Sequence, residues 1–309
     1  MSDAQASACA FSSGGVLMNL TLFLQHLANG VALGFVFGLV AIGYTLVYGV
    51  VKLVNFAHGD IFMMAAFFVY YGIVLFSFPW FLSFLFAIFL TALLGISIEK
   101  VAYKPLRNAP RISSLCSAIG MSFLLENFAI VVFGGRQKPF YQPAVLNKTL
   151  NVWGVRIQLV TIITIVVSIG ALFFLSYLVY KTKMGLAMRA LAYDFDTARL
   201  MGINVDRTIT FTFAVGSSLA AISAIFWALR YPQIWPFMGV FPGWRAFTAA
   251  IIGGIGSIKG AMVGGFLIGM ISILLVAFLP DLAGYRDAFI FIMLVFVLLF
   301  KPTGLFGET

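Results

Sequence analysis

Charge is the scarcest commodity in this 309-residue chain: Asp, Glu, Lys and Arg together make up 9%, against 62% hydrophobic residues, and mean hydropathy is +1.07. That is too little polar surface to cover a soluble globule, so the chain reads as a polytopic membrane protein. Cysteine is almost absent. Cys9 and Cys116 form no framework of paired spacings and no metal-ligand spacing, which removes a disulfide scaffold and a zinc site. Histidine is limited to His26 and His58, and no cluster of His and Asp, or Ser with a base, offers a membrane-embedded enzyme its catalytic set. Acids grouped along the spans, as an ion-coupled carrier or a channel filter would use, are missing too; Glu126 stands alone. The formal net charge is +9, but the basic residues are scattered through short loops, so membrane topology explains them better than nucleic-acid binding. The first fifteen residues lack Lys, Arg and an apolar core, which argues against a secretory signal peptide; residues 1–19 are expected to form a flexible arm.

What the chain does have is long apolar runs. A span needs about 20 apolar residues at 1.5 Å rise each. Runs near 30–51, 61–78, 80–99, 113–134, 159–180, 208–229, 244–279 (two passes) and 287–300 give nine candidate passes and predict an all-α transmembrane bundle of about eight spans, the count open by one or two, with 20–29 a lead-in or an extension of the first. Residues 20–309 form one domain. The loop Glu99–Arg111 carries Lys100, Lys104, Arg107 and Arg111, and the loop 181–207 carries five more basic residues; both are expected in the cytoplasm. The Pro-, Gly- and Asn-rich segment 134–158 then faces outward, as an ordered hairpin or cap, with the N-terminus outside and the C-terminus inside.

The segment Lys181–Arg207 concentrates 8 of the 29 charged residues (19 basic and 10 acidic). Met188, Leu191, Phe195, Ala198 and Met201 recur there at three- and four-residue steps, away from Arg189, Asp194, Asp196 and Arg199. This spacing predicts one short amphipathic helix, with breaks at Gly185 and Gly202 and a turn at Asn204 and Asp206. On pattern alone such a helix either lies on lipid headgroups or docks a soluble partner.

Three blocks carry a resemblance: Leu46–Asp60 (LVYGVVKLVNFAHGD), Met184–Arg207 (MGLAMRALAYDFDTARLMGINVDR) and Ala246–Gly265 (AFTAAIIGGIGSIKGAMVGG), with further support from Ala102–Asn127. From about Gly30 to Phe306 the chain resembles the branched-chain amino acid permease family of bacterial ATP-binding-cassette importers, whose relatives carry neutral amino acids, amides or urea. The resemblance implies an inner-membrane permease domain that pairs with a sister permease, two cytoplasmic ATPases and a periplasmic binding protein. It also implies no cofactor on this chain, ATP being hydrolysed by the partner subunits. The 181–207 segment becomes the coupling loop, with Met188, Leu191, Phe195 and Ala198 as an apolar key, Arg189, Asp194 and Arg199 fixing its register, and Gly202 ending it.

Polar residues within the spans supply candidates for the passage or a gate. Asn55, His58 and Asp60 follow an apolar run directly, either in a broken helix lining the path or in a turn at the inner face with Asn55 and Asp60 as caps and His58 as packing. Their place near the inner face favours the turn. Glu126, beside Asn127, could meet a substrate ammonium, pair with Arg230 or Arg245, or make an interfacial contact. Gly254, Gly256 and Ser257 belong to a glycine-dense stretch suited to close helix approach and tight reversal. It is not a phosphate loop, since no strand precedes it and the Gly-Lys-Ser/Thr ending is absent. Trp227, Tyr231, Trp235, Phe241 and Trp244 read as an outer aromatic belt.

Overall fold

The computed structural model describes residues 20–107, 109–152 and 155–307, so the expected arm at 1–19 lies outside the described residues. Eleven helices follow one another among the described residues: α1 (Leu20–Val51), α2 (His58–Val74), α3 (Trp80–Ile98), α4 (Arg111–Phe133), α5 (Leu159–Lys181), α6 (Lys183–Tyr193), α7 (Phe195–Leu200), α8 (Val205–Arg230), α9 (Val240–Gly253), α10 (Ile258–Phe278) and α11 (Arg286–Phe300). The fold is the expected all-α bundle of a multi-pass membrane protein. Its span count resolves differently from the sequence: seven helices are long and apolar enough to cross a membrane, while α2, with 17 residues, and α9, with 14, are short. At 1.5 Å per residue these two are roughly 25 and 21 Å long, less than a hydrocarbon core of about 30 Å.

Helix α1 is the axis of the bundle: 89% of its apolar window is buried, against 6% for the window that ends in α11. Its closest partner is α10, and glycine is the reason. Gly34 and Gly38 of α1 lie against Gly269 and Gly265 of α10, where an added Cβ would strike the opposing backbone. Four-residue spacing puts each pair on one face, and small residues there let the two backbones approach, so dispersion rather than side-chain interlocking holds the contact. On the other side of α10, Gly260 and Gly264 meet Gly253 and Ala249 of α9 in the same manner. The expectation that the glycine-dense stretch serves close helix approach is met at Gly253, Gly260, Gly264, Gly265 and Gly269, while Gly34 and Gly38 on α1 are partners that expectation did not include.

Helix α3 does not stop at the expected loop. It continues through a π-turn, Glu99–Tyr103, and a 3-10 turn, Lys104–Leu106. Pro105, which has no N–H to give to the helix ladder, accounts for the change of winding. Four short strands lie together at one end of the molecule. β2 (Thr149–Val152) and β3 (Val155–Gln158) form the expected hairpin within 134–158, while β1 (Lys138–Pro139) pairs with β4 (Gln233–Ile234). The Phe140 N–H bonds the Pro232 carbonyl at 3.0 Å and Gln142 Nε2 donates to the Leu229 carbonyl at 2.7 Å, fastening this segment to the end of α8.

The charged segment departs from the single helix its periodicity predicts. It forms α6 and α7, broken at Asp194, whose extended backbone (φ −149°, ψ 121°) leaves the helix. Asp194 caps α7 by accepting from the Asp196 N–H at 3.0 Å and from the Thr197 hydroxyl. Gly185 is not a break. It lies inside α6, pressed against the Leu178 and Val179 carbonyls of α5, while Thr182 caps α6 through the Gly185 N–H at 3.0 Å. Gly202, at φ +82°, ends the segment as expected, because that left-handed backbone suits a residue without Cβ.

Candidate functional site

The NFAHGD stretch is where the sequence expectation and the structure part most usefully. α1 ends at Val51, Lys52 turns the chain at φ +57°, and α2 begins at His58. The expected capping by Asn55 and Asp60 is corrected, since the residue capping α2 is Ala57, which makes no side-chain cap bond, whereas His58 is the packing residue that reading described; all three are 1–3% exposed. Their partners come from elsewhere in the bundle. Asn55 Oδ1 accepts from the Tyr103 hydroxyl of the π-turn at 3.0 Å, and Asp60 Oδ2 accepts from the Ser122 hydroxyl of α4 at 2.5 Å. The His58 ring stacks 4.6 Å from Tyr44, under Gly43, where any side chain would collide with it. The physical reason is that α2 starts inside the bundle, so its first polar groups face neighbouring helices, which bond Asn55 Oδ1 and Asp60 Oδ2 and leave Asn55 Nδ2 and His58 Nε2 without a partner among the described residues.

That start opens onto a cavity of about 330 Å³ whose polar lining includes Tyr44, Asp60, Ser122 and Glu126, with Phe56, Trp244 and Phe247 as aromatic walls. The first turns of α2 and α9 meet beside it: Gly59 faces Gly239 and Gly243 so closely that a Cβ on Gly239 would strike the Gly59 carbonyl. A helix N-terminus carries partial positive charge. The cavity therefore offers two carboxylates, two converging helix N-termini and an apolar wall. Trp244, expected in an aromatic belt, lies 6.2 Å from Phe56 in this wall.

The remaining candidates separate. Asn127 lies on the exposed face of α4 and donates to the Phe123 carbonyl at 2.7 Å, away from the cavity that Glu126 lines. Glu126 forms no ion pair with Arg230 or Arg245 among the described residues; Arg245 instead forks onto Asp287 at 2.6 and 3.0 Å. Gly254, Gly256 and Ser257 are at the opposite end of α9 from the cavity. Gly254 (φ +104°) and Gly256 (φ +103°) build a reversal that Ser257 caps through the Gly260 N–H at 3.2 Å. The C-terminal residues cover it, Leu305 and Phe306 donating to the Ile252 and Gly253 carbonyls at 2.8 and 2.9 Å. These three residues are turn-builders, not cavity lining. Tyr44 and Ser122 escaped the sequence reading, because one looks like an ordinary apolar-helix aromatic and the other like a small packing residue.

At the end of the bundle opposite the strands, the apolar stripe expected to act as an outward key is largely turned inward: Met188, Leu191 and Ala198 are 2–4% exposed. A helix tied to the bundle at both ends covers its apolar stripe with the chain's own α1, α5 and α8. What faces out is Tyr193 (94% exposed), Leu200 (87%) and Met201 (79%), beside Arg189, Asp194, Asp196 and Arg199, with Phe195 half-buried. The Arg189 guanidinium sits 5.5 Å over the Tyr180 ring. Hydrogen bonds from the Thr197 hydroxyl, then from the Asp196 and Thr197 N–H groups, hold the Asp194 carboxyl below its ordinary pKa.

A second cavity, about 680 Å³, separates α7 from the 52–57 break and from the 104–107 turn. An ionic cluster borders it. Fully buried Glu99 accepts from Arg107 and, at 2.8 Å, from the Thr210 hydroxyl; Arg107 also reaches Asp206 at 2.5 Å, and Lys104 reaches the same carboxylate at 2.7 Å. Asp206, expected to shape a turn, instead ties the start of α8 to the end of α3. Asn204 alone caps that helix, through the Arg207 N–H at 3.0 Å.

Comparison with known proteins places this arrangement. The family model described as the branched-chain amino acid transport system permease component matches residues 26–298. The high-affinity branched-chain amino acid transport system permease protein BraD of Pseudomonas aeruginosa is 39% identical over 303 residues, covering 93% of this chain and 96% of its own. The LivH permease protein of Escherichia coli is 38% identical with the same coverage, and a probable LivH of Methanocaldococcus jannaschii is 28% identical over 87% of this chain and 88% of its own. With the match spanning nearly all of the bundle, from the axial α1 to α11, the chain belongs to the branched-chain amino acid transport permease family.

Proposed function

We propose that this chain forms half of the membrane passage of an ATP-driven importer for branched-chain or other neutral amino acids. A periplasmic binding protein delivers the cargo, a sister permease supplies the other half, and two cytoplasmic ATPases drive the cycle in the bacterial inner membrane. The N-terminus is outside and the C-terminus inside. The observation that carries this reading is the 330 Å³ cavity in which Asp60 and Glu126 lie beside the converging N-termini of α2 and α9. The carboxylates suit an ammonium, the helix ends a carboxylate, and Phe56, Trp244 and Phe247 an aliphatic side chain. Urea or a short amide has no ammonium and would leave the two acids without a counterion, which favours the amino acid.

A proton- or cation-coupled carrier could also use two neighbouring acids. The exposed projection at 189–201 favours the ATP-driven reading, because such a carrier has no use for it. In our account Tyr193, Leu200 and Met201 enter a groove on the ATPase, Arg189, Asp194, Asp196 and Arg199 set the register at the rim, and Met188, Leu191, Phe195 and Ala198 transmit the movement to the bundle. Tyr193→Cys tests the required orientation. In spheroplasts, with native Cys9 and Cys116 replaced by serine, this cysteine should react with a membrane-impermeant maleimide only after the membrane is breached; labelling of intact spheroplasts would overturn both the orientation and the coupling.

A further inference from the structure

A third cavity, about 350 Å³, opens on the strand-bearing side, bounded by the end of α8 and the starts of α9 and α11. Its lining includes Trp227, Tyr231, Trp235, Arg245, Arg286 and Asp287. The one acid is already committed: Arg245 Nε and Nη2 hold Asp287 Oδ1 and Oδ2 at 2.6 and 3.0 Å. Arg286 forms no ion pair among the described residues, and its Nε is buried with no acceptor; the Trp227 indole N–H is buried without an acceptor as well. The indole cannot turn away, since its ring is packed 4.6 Å from Tyr231, 5.9 Å from Phe37 and 6.3 Å from Phe62.

Guanidinium and indole nitrogens donate and never accept, and folded chains rarely leave such groups buried and unmatched. The group that completes the Arg286 guanidinium is acceptor-only and negatively charged, and a carboxylate fits its planar fork; the indole N–H, with no surface on the cavity, is walled off from a ligand there. We propose that this cavity is an anion site that takes a carboxylate on a small aliphatic ligand, the α-carboxylate of cargo waiting outside the main cavity. The cargo assignment rests on the importer reading, whereas the anion chemistry does not. A lipid phosphate shares that chemistry. The molecule then holds two sites of opposite polarity, one rich in carboxylates and one in cationic donors.

The test uses the assembled transporter in nanodiscs with radiolabelled isocaproate, which is leucine without its ammonium group, and isoamylamine, which is leucine without its carboxylate. Isocaproate should bind saturably, Arg286→Gln should weaken it about tenfold, equivalent to about 1.4 kcal/mol, Arg286→Lys should recover only part of that loss, and isoamylamine should not compete. If the resident anion is a lipid phosphate, nanodiscs containing phosphatidylglycerol will suppress isocaproate binding relative to phosphatidylcholine alone; for cargo carboxylate the two lipids will give the same binding. Arg286→Lys keeps the cation and removes only the fork, so it decides the matter should Arg286→Gln fail to assemble, with an expected loss of about threefold. Absence of saturable binding in both lipids, or binding unchanged in the variants, overturns the site. Failure of the importer reading would look different: isocaproate would still bind, but uptake would not require ATP.

Discussion

Two polar stretches of the chain behave in opposite ways. In Lys52–Asp60 the polar side chains Asn55, His58 and Asp60 turn into the protein, and in 188–201 the apolar side chains Met188, Leu191 and Ala198 do. Both follow from one rule. A side chain faces whatever its element is packed against, and α2 begins among other helices while α6 and α7 lie across the end of the bundle. Polarity in a sequence states which groups must be satisfied, not who satisfies them.

That contrast can be broken experimentally. The largest effect should come from the cluster that lies between the two stretches: Arg107→Ala leaves the carboxylate of Glu99 buried without its cation, at a cost of about 3–5 kcal/mol, visible as lost protein or a lower midpoint in detergent unfolding. If that variant is as stable as the parent, the cluster is surface decoration. Next, Met188→Glu and Leu200→Glu should diverge. The first puts a charge into a packed contact and should deplete the protein from the membrane, while the second should leave it there yet abolish co-purification of the ATPase. Equal behaviour of the two would mean that the stripe is not turned inward. Asp60→Asn and Glu126→Gln should each cut leucine uptake about tenfold, or about 1.4 kcal/mol, at normal protein levels.

The smallest effect concerns Asp194. Its carboxyl titrates below the ordinary carboxylate range, so its capping of α7 is fully present above the unfolded value of about 3.9 and is lost as pH falls through the lower folded value. Amide exchange at Thr197, corrected for its intrinsic pH dependence, should lose protection only in that acid window; loss near neutrality would contradict the cap.

Much of the architecture was legible in the sequence. Apolar runs located the long helices, and the glycine-dense stretch around Gly254 announced close packing there, because both are local patterns. The shortness of α2 was hidden, since its apolar run is as long as a span and only the backbone at Lys52 reveals where the helix restarts. The cavity was hidden for another reason: Asp60 and Ser122 are 62 residues apart, and nothing local records that they touch. In the charged segment the periodicity was correct and the facing was not, because a stripe does not state what covers it. Asp194, grouped with the charged face, turned out to break the helix through its capping bonds.

The central claim is that this bundle moves amino acids with ATP and a delivered cargo. Its most direct test is leucine uptake by proteoliposomes holding the assembled transporter, with ATP inside and loaded binding protein outside. Uptake should require both, survive an uncoupler that collapses ion gradients, and be lost in the Leu200→Glu variant. Accumulation driven by an imposed proton or sodium gradient without ATP would contradict it.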